Sequence, residues 1–78
     1  MTFQNAIKEL RQSCFLSQDA FAKALNISFS TVNRWETGKN IPNFIMMGKI
    51  VQFCKNNSID YQTIDNAWKE CKNASNSK

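Results

Sequence analysis

Two short helical segments joined by only three residues constrain this chain more than any other feature. Residues 17–25 and 28–37 both carry apolar side chains at helical spacing, and residues 26–28 connect them. A serine stands at the N-cap position of each segment, while Asn26 and Gly38 can adopt the left-handed conformation that ends a helix. A connection this short forces the two helices to cross steeply and to pack their apolar side chains into the angle between them.

The same helical period extends over almost the whole chain and predicts three more helices. The first covers residues 2–13, the fourth has Pro42 in its first turn, and the fifth is capped by Ser58 or Asp60. The apolar stripes of the fourth and fifth helices are Phe44, Met47, Ile50, Val51 and Cys54, and Tyr61, Ile64, Trp68 and Cys71. Two glycines and one proline leave little material for the turns of a β-fold. We therefore expect an all-α bundle of five helices.

The length of 78 residues fits one domain with one modest core. We place this domain at residues 1–72 and expect residues 73–78, which lack an apolar anchor, to form a disordered tail. No apolar stretch reaches the length of a membrane span and no signal peptide is recognisable, so we expect a soluble cytoplasmic protein.

The polar composition argues against catalysis and metal binding. The chain has no histidine, no Gly-rich phosphate loop and no Cys-x-x-Cys pair. Its three cysteines, Cys14, Cys54 and Cys71, fit reduced thiols that pack as small hydrophobic side chains. We expect neither an enzyme nor a cofactor. The net charge of +4 permits a polyanionic partner.

A steep crossing of two short helices is the geometry of a helix-turn-helix, whose second helix enters the DNA major groove. The outward residues of that helix are Phe29, Ser30, Asn33 and Arg34. Arg34 can contact guanine or a phosphate, Asn33 can pair with adenine, and Ser30 can bond to almost any base. Phe29 can pack on a thymine methyl group or fold back as a staple on its own helix.

The run from Ser17 to Pro42 resembles the Cro/CI (XRE-like) family of helix-turn-helix DNA-binding proteins, and the resemblance extends over about residues 3–64. The matching elements are Ser17-Gln18, Ala22, Ile27-Ser28, Thr31-Val32, Arg34-Trp35-Glu36-x-Gly38-Lys39 and Pro42, with Ile7, Leu10 and Arg11 in the first helix. The resemblance implies a lambda-repressor-like bundle with the helix-turn-helix at helices 2 and 3.

The resemblance also implies roles for single residues. The implied base contacts are Phe29, Ser30, Asn33 and Arg34. The implied phosphate contacts are Gln18, Thr31, Thr37, Lys39 and Asn40. Gln18 would also buttress the recognition helix, and Arg11 and Glu36 would form a partly buried ion pair between helices 1 and 3. Simpler interpretations remain for Gln18 as an ordinary first-turn residue, for Thr31 as a packing residue and for residues 37–40 as a solvated turn. Trp35 is assigned to the core.

The chain departs from the family pattern at four places, one of which is a recognition helix with only one strongly charged reader, Arg34. Phe15 stands where glycine often ends the first helix, which suggests a longer or differently shaped turn. Ala20 replaces an acidic residue and leaves the capping box from Ser17 incomplete. Asn56-Asn57-Ser58 replaces a Leu-Gly turn before the last helix. These departures do not change the predicted fold, but they prevent a prediction of the DNA sequence that the protein binds.

Helices 4 and 5 carry more apolar residues than a small core requires, although some of them must close that core. These residues are Ile45, Met46, Phe53, Tyr61, Ile64 and Trp68. We expect a homodimer through the two helices; alternatively, the fifth helix only covers the core of a monomer. We expect no small-molecule ligand.

The predicted function is a sequence-specific regulator that binds double-stranded DNA and acts as a repressor. It would be encoded by a bacterium, phage or mobile element and associate with the nucleoid. An alternative is an antitoxin-like or accessory DNA-binding protein that acts with a protein partner. A protein-interaction module without DNA binding is a third possibility, and RNA binding lacks aromatic stacking residues beyond Phe29.

Overall fold

The computed structural model describes the backbone of residues 1–76 and the side chains of residues 1–72. This part of the chain contains five α-helices and no strands, so the predicted all-α, five-helix fold is confirmed. The helices are α1 (Phe3–Ser13), α2 (Gln18–Leu25), α3 (Phe29–Glu36), α4 (Phe44–Asn56) and α5 (Gln62–Asn76). The predicted tail at residues 73–78 falls partly outside the described residues, and the boundary at residue 72 stays a prediction.

Side-chain caps define where four of these helices begin. Ser17 and Ser28 accept hydrogen bonds from the backbone N–H groups of Ala20 and Thr31, at 3.0 and 3.2 Å. Both predicted caps are confirmed, and Thr2 caps α1 in the same way. Each cap satisfies an N–H group that the first turn of a helix would otherwise leave unpaired.

The start of α4 differs from the prediction, because Pro42 does not lie in its first turn. Asn43 is the N-cap, and its side chain accepts a hydrogen bond from the Met46 N–H at 2.9 Å. The asparagine cap therefore moves the helix start to Phe44. Pro42 is buried before it, where its carbonyl accepts a hydrogen bond from Trp68 Nε1 at 2.8 Å.

Residues with positive φ end two of the helices as predicted. Asn26 has φ 59° after α2, and Gly38 has φ 78° one residue beyond the Thr37 C-cap of α3. Phe15 has φ 58° after α1, although it is not a glycine. The turn is short, since the Phe15 and Leu16 N–H groups donate to the carbonyls of Gln12 and Arg11. The phenylalanine thus adopts the conformation that suits glycine, instead of lengthening the turn.

The core collects apolar side chains from all five helices. Its buried members are Phe3, Ala6, Ile7, Leu10, Phe21, Ala22, Leu25, Val32, Trp35, Met47, Ile50, Cys54, Ile64, Ala67 and Trp68. The rings of Phe3 and Trp35 meet edge to face at 6.5 Å, so α1 and α3 pack directly. Trp35 lies in the core, as predicted.

One prediction about α4 is wrong. Phe44 was assigned to the inner stripe of α4 but is 78% exposed, and it lies before the buried stripe of Met47, Ile50 and Cys54. Ile64 and Trp68, two of the extra apolar residues of α4 and α5, are buried and help to close the core. Phe53 is half-buried and packs edge to face on Phe21, at 5.4 Å between ring centroids.

The three cysteines are free thiols. Cys54 is buried, and burial raises the pKa of its thiol to about 11, which keeps it protonated at neutral pH. Within the described residues, no cluster of His, Cys, Asp and Glu could hold a metal ion. No helix in that part of the chain has the length and apolarity needed to cross a membrane.

Candidate nucleic-acid interface

The turn between α2 and α3 is held by backbone hydrogen bonds. The Asn26 and Ile27 N–H groups donate to the carbonyls of Lys23 and Ala22, at 3.1 and 2.9 Å. The left-handed Asn26 reverses the chain there, and α3 starts three residues later at Phe29. The arrangement leaves the N-terminal turn of α3 at the surface.

The outer side of α3 carries the four residues that the sequence predicts as base contacts. Phe29 is 50% exposed, Ser30 and Arg34 are exposed, and Asn33 is half-buried. Val32, Trp35 and Glu36 of the same helix are buried. The four residues therefore share a surface that includes an apolar ring, a hydroxyl, an amide and a guanidinium.

The predicted phosphate contacts divide between the ends of α2 and α3 and the loop that follows. The half-buried Thr31 shares a hydrogen bond with the Ser28 hydroxyl at 2.8 Å, so it also belongs to the α3 cap. The Thr37 hydroxyl donates to the Asn33 carbonyl at 2.9 Å. Lys39 and Asn40 are exposed beyond it.

This loop passes close to α1. A Cβ atom built on Gly38 would meet the side-chain amide of Gln4, and the positive φ of Gly38 is itself unfavourable for other residues. Glycine thus lets the loop turn sharply after α3, and Lys39 follows directly, with its N–H donating to the Arg34 carbonyl at 3.0 Å.

Behind this surface, α1 and α3 are joined by Arg11 and Glu36. Arg11 Nε lies 2.7 Å from Glu36 Oε2, and Arg11 Nη2 donates to Glu36 Oε1 at 2.9 Å. Arg11 Nη1 also donates to the Leu16 carbonyl at 2.8 Å, which ties the pair to the turn after α1. Only 12% and 3% of the two side chains are exposed, so the charges are held largely out of water.

Each partner shifts the pKa of the other. Burial would raise the pKa of Glu36, but hydrogen bonds from Arg11 and Gln18 and nearby positive charge outweigh it and lower the pKa. The hydrogen bond to Glu36 likewise raises the pKa of Arg11, despite opposition from burial. Both groups are therefore charged at neutral pH.

Gln18 connects this ion pair to the outer side of α3. Its Nε2 donates to Glu36 Oε1 at 3.0 Å, and its Oε1 accepts from Asn33 Nδ2 at 3.3 Å. Sequence reasoning did not find the bond between Gln18 and Asn33. In the sequence, Asn33 directly follows the inward-facing Val32. This position at the edge of the buried face was the sign that Asn33 could contact another helix.

The charge of the surface is positive. Between residues 28 and 40 the charged side chains are Arg34, Lys39 and Glu36. Since Glu36 is buried and paired with Arg11, the exposed charges of this segment are the two cations. Such a surface attracts the phosphates of a nucleic acid.

A helix-turn-helix family model matches residues 7–62. No curated protein and no solved structure matches the chain. The match covers most of the chain, from α1 through the start of α5, and includes the crossed pair α2 and α3 with the positive surface. The chain therefore belongs to the helix-turn-helix family of the Cro/CI (XRE) type, a family of DNA-binding regulators.

Proposed function

We propose that the protein is a sequence-specific regulator of transcription that reads the major groove of double-stranded DNA with α3 and acts as a repressor. The observation that carries this proposal is the exposed side of α3, where readout groups are displayed while the segment's one carboxylate is buried and paired. A helix presented in this way can approach DNA without a repulsive charge.

The proposed base contacts are made by side chains of different chemistry. Arg34 donates two hydrogen bonds to guanine O6 and N7, and the half-exposed ring of Phe29 packs on a thymine methyl group. Ser30 and Asn33 contact the neighbouring bases. Together they read a few adjacent base pairs from one helix.

The proposed phosphate contacts position α3 in the groove. They are Gln18, Thr31, Thr37, Lys39 and Asn40. Lys39 supplies the full charge, and the others supply polar groups near the ends of α2 and α3. Such contacts set the register of the protein on the duplex and make its affinity depend on salt.

Binding of a fluorescent pool of random duplexes tests this proposal, with anisotropy recorded over a salt series and the bound sequences read afterwards. We expect Arg34→Ala to lose about 1–3 kcal/mol of binding free energy and to relax the base preference at one position of the DNA site. Lys8→Ala, which removes an exposed cation on α1, is the charge-matched control and should retain that preference. If no duplex binds more tightly than micromolar at low salt, the proposal fails.

We further propose that the protein binds as a homodimer through α4 and α5. The support is an exposed apolar pair at the start of α4, since Phe44 and Ile45 are 78% and 73% exposed. Beside them, Gly48 lies against open space, and a groove between the helices is lined by Val51 and Trp68. A second copy would cover this apolar surface and present a second α3 to the next half-site.

Sedimentation equilibrium tests the dimer. We expect Ile45→Lys to shift the protein to a monomer, and Gln12→Lys, a charge of the same sign on exposed α1 surface, to leave the dimer intact. A wild type that remains monomeric at high micromolar concentration would refute the dimer. It would favour the second candidate function, an antitoxin-like or accessory DNA-binding protein whose partner covers Phe44 and Ile45.

The proposed repression would come from occupying a promoter, where a protein bound in the major groove blocks access by the polymerase. As a DNA-binding regulator of a bacterium, phage or mobile element, it would work in the cytoplasm at the nucleoid.

A further inference from the structure

We propose that Glu36 fixes, through Gln18, the direction in which the Asn33 amide faces DNA, so that this position selects adenine over guanine. The inference rests on the proposed readout by α3 and assigns specificity-determining roles to two residues behind the reading surface. Glu36 and Gln18 act on the base through Asn33, as positioning residues.

The first step is the polarity of Glu36. An ionised carboxylate has only hydrogen-bond acceptors. Oε1 of Glu36 receives bonds from Arg11 Nη2 at 2.9 Å and from Gln18 Nε2 at 3.0 Å. Gln18 must therefore turn its NH₂ group toward Glu36, because the opposite orientation would place its carbonyl oxygen against a buried negative charge.

The second step is the polarity of Gln18. With its NH₂ group at Glu36, Gln18 presents Oε1 to Asn33, and the Asn33 Nδ2 donates to it at 3.3 Å. The reverse orientation of the Asn33 amide would bring two carbonyl oxygens together. The charge on Glu36 thus determines which end of the Asn33 amide points inward.

Asn33 keeps only part of its hydrogen-bonding capacity for a base. One hydrogen of Asn33 Nδ2 is used by Gln18, so the other hydrogen and the Oδ1 acceptor remain. Adenine offers the matching pair in the major groove, an N6 donor and an N7 acceptor. Guanine offers O6 and N7, which are both acceptors, and the fixed Oδ1 of Asn33 opposes O6.

Asn33 differs in this respect from the other proposed base contacts. Its side chain forms a hydrogen bond to another side chain of the protein, that of Gln18. Within the part of the chain that the structure describes, the side chains of Phe29, Ser30 and Arg34 form no such bond. Its half-buried position limits rotation further. An asparagine held in one orientation before DNA arrives loses less freedom on binding.

Gln18→Met tests the proposal, because methionine is of similar length and has no amide to bond to both Glu36 and Asn33. The substitution leaves the Arg11–Glu36 pair in place. Released from Gln18, Asn33 can turn its NH₂ group toward guanine. We expect the adenine-to-guanine preference at one position to fall about fivefold to tenfold, within the range of one bidentate base contact. Gln12→Met, an exposed position on α1, is the control and should leave the preference unchanged.

Preference and affinity separate this role from a phosphate contact of Gln18. Loss of a phosphate contact weakens binding to all sequences about equally and leaves the ratio unchanged. If Gln18→Met weakens every duplex while the adenine-to-guanine ratio stays constant at all positions, the inference is wrong and DNA reading by α3 stands. If the wild type binds no duplex, the proposed function and the inference fall together.

NMR of the protein without DNA tests the inference directly, and its deciding comparison is made within the wild type. Side-chain amide hydrogens in NMR spectra should exchange with water more slowly at Gln18 and Asn33 than at Gln12. In Gln18→Met, the Asn33 amide should exchange as fast as that of Gln12. Equal exchange at all three residues in the wild type would overturn the inference, whatever the protein does with DNA.

Discussion

Arg11 and Glu36, 25 residues apart in the sequence, form a two-point ion pair that fixes α3 against α1, with N–O distances of 2.7 and 2.9 Å. Both side chains lie largely out of water. Desolvating two charges is costly, so the pair adds little net stability compared with an apolar pair of the same size. Removal of one partner is different, because it leaves the other charge buried and unpaired.

We therefore predict that Arg11→Met lowers the free energy of unfolding by about 3–5 kcal/mol, the usual cost of an orphaned buried charge. Lys23→Met is the matched control. Lys23 pairs with Asp19 at 3.3 Å on exposed surface, and its loss should cost no more than about 0.5 kcal/mol. Urea denaturation followed by circular dichroism measures both values. Similar losses for the two variants would show that the Arg11–Glu36 pair behaves as a surface pair.

The lowered pKa of Glu36 predicts a dependence of stability on pH. The unfolded state binds a proton near the ordinary glutamate pKa of about 4.3, and the folded state does so at a lower pH. The contribution of Glu36 is therefore complete well above pH 4.3 and is lost as the pH falls through the folded pKa. Glu36→Gln imitates the protonated form, so its stability should differ most from wild type at pH 7.

Urea midpoints of wild type and Glu36→Gln at pH 7, 5, 4 and 3 measure this effect. The gap between the two proteins should narrow at the acidic end of the series. A constant gap from pH 7 to pH 3 would mean that the pKa of Glu36 is the same in the folded and unfolded states, so that folding does not lower it.

Much of the fold was predictable because its signals are local. Ser17, Ser28 and Asn26 act through residues within one turn, and the helical period of apolar side chains requires no knowledge of the partner element. Pro42 and Phe44 were misplaced for a related reason. Asn43 is also a strong cap, and its bond to the Met46 N–H begins the helix at Phe44. The sequence offers both starts, and no local pattern shows that the Pro42 carbonyl is instead bonded by Trp68.

The candidate site was predictable only as a set of residues. Helical spacing and the family resemblance indicated Gln18 and Asn33 separately, but their hydrogen bond depends on how α2 and α3 cross. A crossing angle arises from packing across the whole core. A single sequence shows which side chains point outward and does not show which of them meet.

Phe15 predicts a stabilising substitution. It holds φ 58° with a side chain that is 95% exposed, so it bears the strain of a left-handed residue and packs on little. We expect Phe15→Gly to raise the free energy of unfolding by about 0.5–1 kcal/mol, because relief of strain exceeds the added freedom of the unfolded chain. Ala24→Gly, at an exposed residue of α2, should instead lower stability by about 0.5–1 kcal/mol. A loss of stability in Phe15→Gly would show that its ring makes a favourable contact.

The hydrogen bond from Trp68 Nε1 to the Pro42 carbonyl predicts that removal of the indole N–H lowers the free energy of unfolding. Trp68→Phe leaves the buried Pro42 carbonyl without its donor, and an unsatisfied buried group costs about 1–3 kcal/mol. Hydrogen exchange in the first turn of α4 should also accelerate, because this bond holds the chain just before Asn43. If exchange in that turn is unchanged while stability falls, the cost arises from lost volume and not from the hydrogen bond.

A substitution at Gly38 can be used to compare backbone strain with a steric contact. Its φ of 78° disfavours any residue with a Cβ atom, and the added atom would also meet the end of the Gln4 side chain. Gln4 is exposed and can move aside, so the backbone should account for most of the effect. We predict that Gly38→Ala lowers the free energy of unfolding by about 1–2 kcal/mol.

The same substitution in a Gln4→Ala background should cost nearly as much, because the strain at Gly38 remains when the contact is gone. Gly48→Ala is the control with the opposite sign. Gly48 lies in α4 with nothing within 4 Å of an added Cβ, so alanine should stabilise the helix by about 0.5–1 kcal/mol. Chemical denaturation of the four variants decides between the two causes. If Gln4→Ala abolishes the cost of Gly38→Ala, the close approach of α1 requires the glycine, and the left-handed turn after α3 does not.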